Sequence, residues 1–124
     1  MRERARRSRR LQLKRVYEQP SPADGMRVLV DRLWPRGLSR QKVCADLWLR
    51  DAAPSTELRR WYGHDRSRWA DFRQKYRKEL SRQPEMLELL QDLRRRSAVT
   101  LMSGTRDVAH SHAAVLLEVL DEHA

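Results

Sequence analysis

Three short apolar runs constrain the fold of this chain more than any other feature. They lie in LQLKRVYE (11–18), MRVLVDR (26–32) and AVTLM (98–102). Runs of this length that are rich in β-branched residues are typical of buried strands. Between the second and third runs, apolar residues recur at the three- and four-residue spacing of helices. The sequence therefore predicts an α/β fold, with a small mixed or mainly parallel sheet of three to four strands and helices packed on its faces.

Four helices are predicted from apolar stripes and from the residues at their starts. Ser, Thr, Asp and Asn are favoured as N-caps, and proline suits the first helical position. In chain order the predicted starts are Ser55, Asp65, Pro84 and Asp107. Two connections stay open at this point. PSPADG (20–25) is either a hairpin turn or a one-turn helical link, and 39–54 predicts a short helix followed by an extended piece.

The charge of the chain is strongly positive and unevenly distributed. The 124 residues fit one domain and carry a net charge of +10, which attracts polyanions. Residues 1–10 hold six arginines, one glutamate and almost nothing to bury, so they predict a disordered basic arm before a single α/β domain at 11–124. The arm is either a solvated tail or a nucleic-acid-binding arm.

Cysteine content and hydropathy predict a cytoplasmic protein. Cys44 is the single cysteine, so no internal disulfide can form, which fits a reducing compartment. No apolar run approaches the roughly 18 residues of a membrane span. The basic N-terminus lacks the apolar segment of a secretory signal.

Several spaced motifs resemble one family. They are LKRVYE (13–18), LVDRLWPRG (29–37), APSTELRRWYGHD (53–65), WADFRQKYRKEL (69–80) and TLMSGTRDVAHSHAAVL (100–116). In these motifs the chain resembles the YeaO-like family of uncharacterised bacterial proteins (domain of unknown function 488), over about residues 11–120. The resemblance implies a small α/β domain with no settled activity.

The loop before Asp107 departs from the family's pattern. Relatives usually have a tyrosine, a small residue and a lysine there, whereas this chain has Ser103, Gly104, Thr105 and Arg106. A familiar asparagine after the histidine is replaced by Ser111. Because arginine keeps its proton, a lysine-type nucleophile is excluded at this position. We therefore expect the ligand contacts of this loop to differ from those of relatives.

Polar residues follow the second predicted strand. Asp31, Arg32, Trp34 and Arg36 come directly after its apolar run. In open α/β sheets, ligands bind beyond the carboxyl ends of the strands. We therefore predict Asp31 as a catalytic residue and the other three as ligand-binding residues. The alternative is an ion pair between Asp31 and an arginine that only pins the turn.

A second polar stretch follows the last predicted strand. Ser103, Arg106 and His110 are candidate ligand-binding residues, and Asp107 is a candidate catalytic residue. Backbone N–H groups at a helix start favour anions, and arginine can grip a phosphate or carboxylate with two hydrogen bonds. The alternative is an ordinary capped turn, in which Asp107 takes those N–H groups as the N-cap.

A third stretch supplies Ser55, Arg59 and His64. Ser55 and Arg59 are one helical turn apart, and both are candidate ligand-binding residues. His64 titrates near neutrality and is a candidate catalytic acid or base. The alternative is a surface histidine at a helix end.

Two functions from different classes follow from these patterns. The first is a binder of a small anionic ligand, with or without catalysis, at an Arg/Asp/His pocket on the strand ends. The second is a nucleic-acid-binding module that uses the arm and the basic side chains Arg73, Lys75, Arg77 and Lys78. No cofactor is predicted, because a GxGxxG loop is absent. No metal is predicted either, because His110 and His112 are two residues apart and point to different faces. The sequence leaves the substrate and the oligomeric state open.

Overall fold

The sheet of this protein has four parallel strands. The computed structural model describes residues 10–123, so residues 1–9 of the predicted arm lie outside the described residues. The strands are β1 (Leu11–Arg15), β2 (Met26–Leu29), β3 (Leu47–Trp48) and β4 (Val99–Ser103), and their spatial order is β1-β4-β2-β3. Every pairing is parallel, so all four carboxyl ends lie at one edge of the sheet. The α/β prediction is confirmed.

The link between β1 and β2 is a helical turn. Both strands pair with β4 in parallel, so the hairpin reading of PSPADG is wrong. Ser21 caps a 3-10 turn at Pro22–Asp24 in a capping box. The chain then enters β2 through Gly25, which has a φ of +63°, and a Cβ there would lie 2.2 Å from the carbonyl oxygen of Ala98. Glycine is needed for this close approach.

Five helices accompany the sheet among the described residues. They are α1 (Arg40–Val43), α2 (Thr56–Tyr62), α3 (Trp69–Leu80), α4 (Pro84–Arg96) and α5 (His112–Glu122). The predicted cap of α2 is confirmed, because Ser55 Oγ accepts a hydrogen bond from the Leu58 amide. Asp65 caps the 3-10 turn that leads into α3, and α4 begins at Pro84 as expected.

The start of the last helix differs from the prediction. A 3-10 turn at Val108–His110 intervenes, and Asp107 makes no side-chain cap hydrogen bond. Ser111 is the N-cap of α5 instead, with its Oγ accepting from the Ala114 amide at 3.4 Å. The Asp107 cap prediction is therefore wrong, because the extra turn moves the helix start four residues onward.

The two faces of the sheet are covered differently. Side chains of α2 to α5 pack on one face around Phe72, Tyr76 and Leu116. On the other face, Leu29 and Met102 pack under α1 and its flanking loops in a smaller cluster. No helix among residues 10–123 is long and apolar enough to cross a membrane.

Candidate functional site

The loops after β1, β2 and β4 meet around Gly104. A Cβ atom added at Gly104 would lie 3.4 Å from Asp31 Oδ2, 3.9 Å from Val16 Cγ2 and 4.0 Å from Pro35 Cβ. Val16 directly follows β1, while Asp31 and Pro35 belong to the loop after β2. The structure therefore brings the predicted stretches 29–37 and 103–107 together at the carboxyl edge of the sheet.

The Asp31 carboxylate ties these loops to one another. Its Oδ1 accepts a hydrogen bond from Ser103 Oγ at 2.8 Å, and its Oδ2 accepts one from the Gly104 amide at 2.7 Å. His112 Nε2 lies 3.3 Å from Oδ1 and 2.9 Å from the Val30 carbonyl oxygen. Since a carbonyl can only accept, Nε2 carries the hydrogen of the His112 ring.

These contacts keep Asp31 ionised. Burial alone would raise the pKa of its carboxyl group, but the contacts with His112, the Gly104 amide and Ser103 outweigh burial and hold the pKa below its usual value. A carboxylate with a lowered pKa is a weak base near neutral pH. No arginine of residues 10–123 pairs with Asp31, so the predicted alternative of an Asp31–arginine pair is not formed.

Three arginines at this edge keep N–H groups without partners in the described part of the chain. Arg15 donates from Nε to the Thr105 carbonyl oxygen at 3.2 Å, which leaves four N–H groups of its guanidinium. Arg36 and Arg106 are exposed and make no hydrogen bond or ion pair with residues 10–123. We call Arg15, Arg36 and Arg106 the arginine rim. The neighbouring Glu18 carboxylate accepts from the Arg15 amide at 2.9 Å.

Arg32 is turned toward the chain before α2. Its guanidinium lies 3.3 Å from the Pro54 carbonyl oxygen, and its Nε is buried without a hydrogen bond among the described residues. This contact connects the loop after β2 to the third predicted stretch. Arg32 therefore links two parts of the fold, whereas the side chains of the arginine rim stay open to solvent.

Asp107 and His110 form a separate, more exposed cluster with Arg66. Arg66 Nη1 lies 3.0 Å from Asp107 Oδ2, and Arg66 Nη2 lies 3.3 Å from His110 Nε2. Because arginine can only donate, Nε2 of His110 accepts and Nδ1 carries the hydrogen, which it directs at Asp107. The His110 contact holds the pKa of Asp107 below its usual value.

The third predicted stretch does not supply its side chains to Gly104. Ser55 Oγ donates to Glu79 Oε2 at 2.6 Å, which joins α2 to α3. Arg59 is exposed and bonds to none of residues 10–123. His64 is exposed in a turn with a φ of +60°, and its ring centroid lies 6.2 Å from that of Tyr62. Within residues 10–123, no hydrogen bond, ion pair or ring contact joins these three residues to Asp31 or to the arginine rim.

Trp34 supports the loop after β2 from inside. Its Nε1 donates to the Leu38 carbonyl oxygen at 2.7 Å, and its ring packs edge-on against Trp48 at 5.3 Å. Trp48 in turn donates to the Asp31 carbonyl oxygen at 2.7 Å. Trp34 therefore shapes the loop that carries Arg36.

A groove of about 600 Å³ opens beside the end of β3 and the start of α4. Two arginines, Arg50 and Arg82, and two acids, Asp51 and Glu85, line it. These charges cancel, so the groove has no side-chain charge that favours an anion over a cation. The arginine rim differs because its guanidinium groups outnumber the free carboxylates beside them.

A metal centre lacks the necessary side chains in the described part of the chain. Among residues 10–123, no group of three or more His, Cys, Asp or Glu side chains is arranged to hold a metal ion. The carboxyl edge of the sheet is a polar junction of loops with arginines around it.

A family model matches residues 10–124, and its description is the inactive DUF488-N3 subclade. The chain belongs to the DUF488-N3i family. This finding confirms the resemblance to the YeaO-like family that the motifs indicated.

Curated relatives of this DUF488-N3i chain carry the description of uncharacterized proteins. An uncharacterized protein of Mycobacterium tuberculosis (strain H37Rv) is 45% identical over 115 residues, which cover 93% of this chain and 97% of the relative. The uncharacterized protein YeaO of Escherichia coli (strain K12) is 36% identical over 110 residues, which cover 89% and 96%. No solved structure matches the chain significantly.

Sequence reasoning missed two residues of the site in this DUF488-N3i chain. Arg15 was not predicted for the site, because the first strand was expected to continue to residue 18. In the structure β1 ends at Arg15. His112 contacts Asp31, whereas the prediction favoured His110 for the site. The signal for Arg15 was its place at the end of an apolar strand, the same signal that singled out Asp31.

Proposed function

We propose that this protein binds a small anionic ligand, bearing phosphate or carboxylate groups, at the arginine rim. The observation that carries the proposal is the set of uncommitted guanidinium N–H groups on Arg15, Arg36 and Arg106. Arginine presents N–H donors in a fork that matches the oxygens of phosphates and carboxylates. The carboxyl edge of a parallel sheet is where α/β folds bind ligands.

The ligand in this proposal is held by side chains and not by the loop backbone. The Gly104 amide already donates to Asp31, so it is not available to an anion. Asp31 is matched by Ser103, Gly104 and His112, so its charge is partly compensated within the fold. The anion therefore binds to guanidinium groups that form no ion pair with a carboxylate of residues 10–123.

Binding without catalysis is the form of the proposal that the chain supports best. Asp31 has a lowered pKa, and both of its oxygens accept hydrogen bonds within the fold, which makes it a poor proton acceptor. His64 is exposed in a turn, and Asp107 is engaged by Arg66 and His110. The description of the family as an inactive subclade fits this form.

Nucleic-acid binding is the weaker alternative. The net charge of +10 favours it. However, two of the four basic side chains predicted for that surface, Arg73 and Arg77, pair with Glu118 and Glu122. The remaining support is the basic arm, of which residues 1–9 lie outside the described residues.

A calorimetric titration with inorganic pyrophosphate tests the proposal. We expect saturable binding to the wild type, and about tenfold weaker binding for Arg106→Gln and for Arg36→Gln, since tenfold corresponds to about 1.4 kcal/mol. Arg96→Gln is the control, because it removes the same charge from the end of α4. This helix end lies just before β4 begins, and therefore beyond the amino edge of the sheet. Equal weakening in all three variants, or no saturation at about 150 mM salt, would show general charge attraction and refute the proposal.

We also propose that the protein resides in the cytoplasm. Cys44 is an exposed free thiol, which is compatible with a reducing compartment. Fractionation of the source cells, with the protein recovered outside the cytoplasmic fraction, would contradict this assignment.

A further inference from the structure

The arginine rim is accompanied by exposed apolar surface. Three large hydrophobic side chains are exposed in the described part of the chain, namely Tyr17 (49%), Leu33 (67%) and Leu89 (40%). Tyr17 comes two residues after the end of β1, and Leu33 lies in the loop after β2. An inorganic anion would leave Tyr17 and Leu33 in water, whereas a ligand with an apolar part would cover them.

Tyr17 is held next to the rim by Arg15. The guanidinium carbon of Arg15 lies 5.0 Å from the centroid of the Tyr17 ring, so it covers one ring face. The same guanidinium donates to the carbonyl oxygen of Thr105, the residue before Arg106. One side chain therefore connects an exposed aromatic ring to the β4 loop of the rim.

The turn that carries Tyr17 is braced by its own hydrogen bonds. The Glu18 amide donates to the Arg15 carbonyl oxygen at 3.1 Å, and the Arg15 amide donates to the Glu18 carboxylate at 2.9 Å. The Tyr17 hydroxyl bonds to none of residues 10–123. The ring is thus positioned by the turn and by Arg15 while nearly half of the residue stays exposed.

This inference rests on the proposed function. We infer that the ligand of the arginine rim is a mononucleotide, with its phosphate on the rim guanidinium groups and its base stacked on Tyr17. An aromatic ring beside uncommitted arginines matches a ligand that carries a planar base and a phosphate within one molecule. Every base has a π-face, so stacking on Tyr17 accepts different bases.

A paired comparison of two phosphates tests the inference. Adenosine monophosphate and ribose 5-phosphate share the sugar phosphate, and only the first has a base. We expect adenosine monophosphate to bind the wild type about tenfold tighter, which is the scale of one base–aromatic stack. Tyr17→Ala should abolish the preference for adenosine monophosphate over ribose 5-phosphate, whereas Tyr17→Phe should keep it.

The outcomes separate this inference from the proposed function. Equal affinity for the two phosphates, or a preference that survives Tyr17→Ala, overturns the nucleotide inference while anion binding at the rim stands. Failure of both phosphates and of pyrophosphate to bind overturns the proposed function as well. Much tighter binding of a single-stranded oligonucleotide than of the mononucleotide overturns the inference in favour of a polymer. Leu89→Ala is the control for loss of an exposed apolar side chain elsewhere, and we expect it to change neither affinity.

Discussion

Two aspartates flank β2, and the protein compensates their charges in opposite ways. Asp24 precedes the strand and is 2% exposed. It pairs with Arg27 and with Lys14, the latter at 3.0 Å, and it also accepts from the Ser21 amide. Asp31 follows the strand and meets no arginine or lysine among residues 10–123. Its partners are a hydroxyl, a backbone amide and His112.

The arginines at the two ends of β2 differ in the same way. Arg27 is 5% exposed and donates to Asp24 and to the carbonyl oxygens of Val43 and Cys44. Its guanidinium is committed to holding the chain around the amino end of the strand. At the carboxyl end, neutral donors and a histidine satisfy Asp31, so the rim arginines stay available. The comparison indicates a structural lock at the amino edge of the sheet and supports the binding surface that we propose at the carboxyl edge.

Removal of the Asp24 charge should give the largest effect on stability. We expect Asp24→Asn to lower the free energy of unfolding by about 3–5 kcal/mol, because it leaves the buried Arg27 charge without its carboxylate. Urea unfolding followed by tryptophan fluorescence measures this loss. Asp92→Asn is the control, since Asp92 pairs only with Arg95 and Arg96 on the surface and should cost about 0.5 kcal/mol or less. A loss for Asp24→Asn as small as the control would contradict the lock.

Asp31→Asn should cost less, about 1–3 kcal/mol. The amide nitrogen of asparagine would face one of the donors that now bond to the carboxylate, and that donor would stay buried without a partner. Asp31→Asn leaves no arginine or lysine without its carboxylate, and the only charge that it can leave unpaired among the described residues is that of a protonated His112. The loss in the free energy of unfolding should therefore be smaller than that of Asp24→Asn. The same urea experiment compares the free energies of unfolding of the two variants. A larger loss for Asp31→Asn than for Asp24→Asn would contradict the difference that we infer between the two aspartates.

The pH dependence of stability should show the smallest effect. The hydrogen bonds that outweigh burial hold the pKa values of Asp24 and Asp31 below their usual value of 3.8. A carboxyl group with a lowered folded-state pKa stabilises the fold above its unfolded pKa, and this contribution is lost as pH falls through the folded pKa. We therefore expect the stability gap between wild type and Asp31→Asn to narrow as pH falls below about 4. A gap that widens below about pH 4 would contradict the lowered pKa.

Much of the fold could be predicted from local patterns. The apolar runs at 26–32 and 98–102 became β2 and β4, and the N-cap Ser55 and the first-position proline Pro84 predicted two helix starts. Strand order could not be predicted, because β3 consists of two residues and leaves little pattern to read. The link at 20–25 stayed ambiguous, since a hairpin and a helical turn need the same Pro and Gly residues.

The site was predictable where polar residues directly follow an apolar run. Asp31, Ser103 and Arg106 were found in this way. Asp24 was taken as an ordinary turn residue, because nothing local indicates that Arg27 is buried beside it. His110 was predicted for the site and His112 was not, and the 3-10 turn before α5, which changes the placement of both histidines, was not visible in the sequence. These errors arise from contacts between residues distant in sequence or from a single added turn.

The most direct test of anion binding at the arginine rim is a nuclear magnetic resonance titration with inorganic pyrophosphate, read at the backbone amides. We expect the shifted amides to cluster at the carboxyl edge of the sheet, on Val16, Arg36 and residues 104–106. Amides around Asp24 and Arg27 should stay in place, because their charges are already paired within the fold. Shifts centred on the Asp24 end of β2, or spread evenly along α3, would contradict a binding surface at the carboxyl edge.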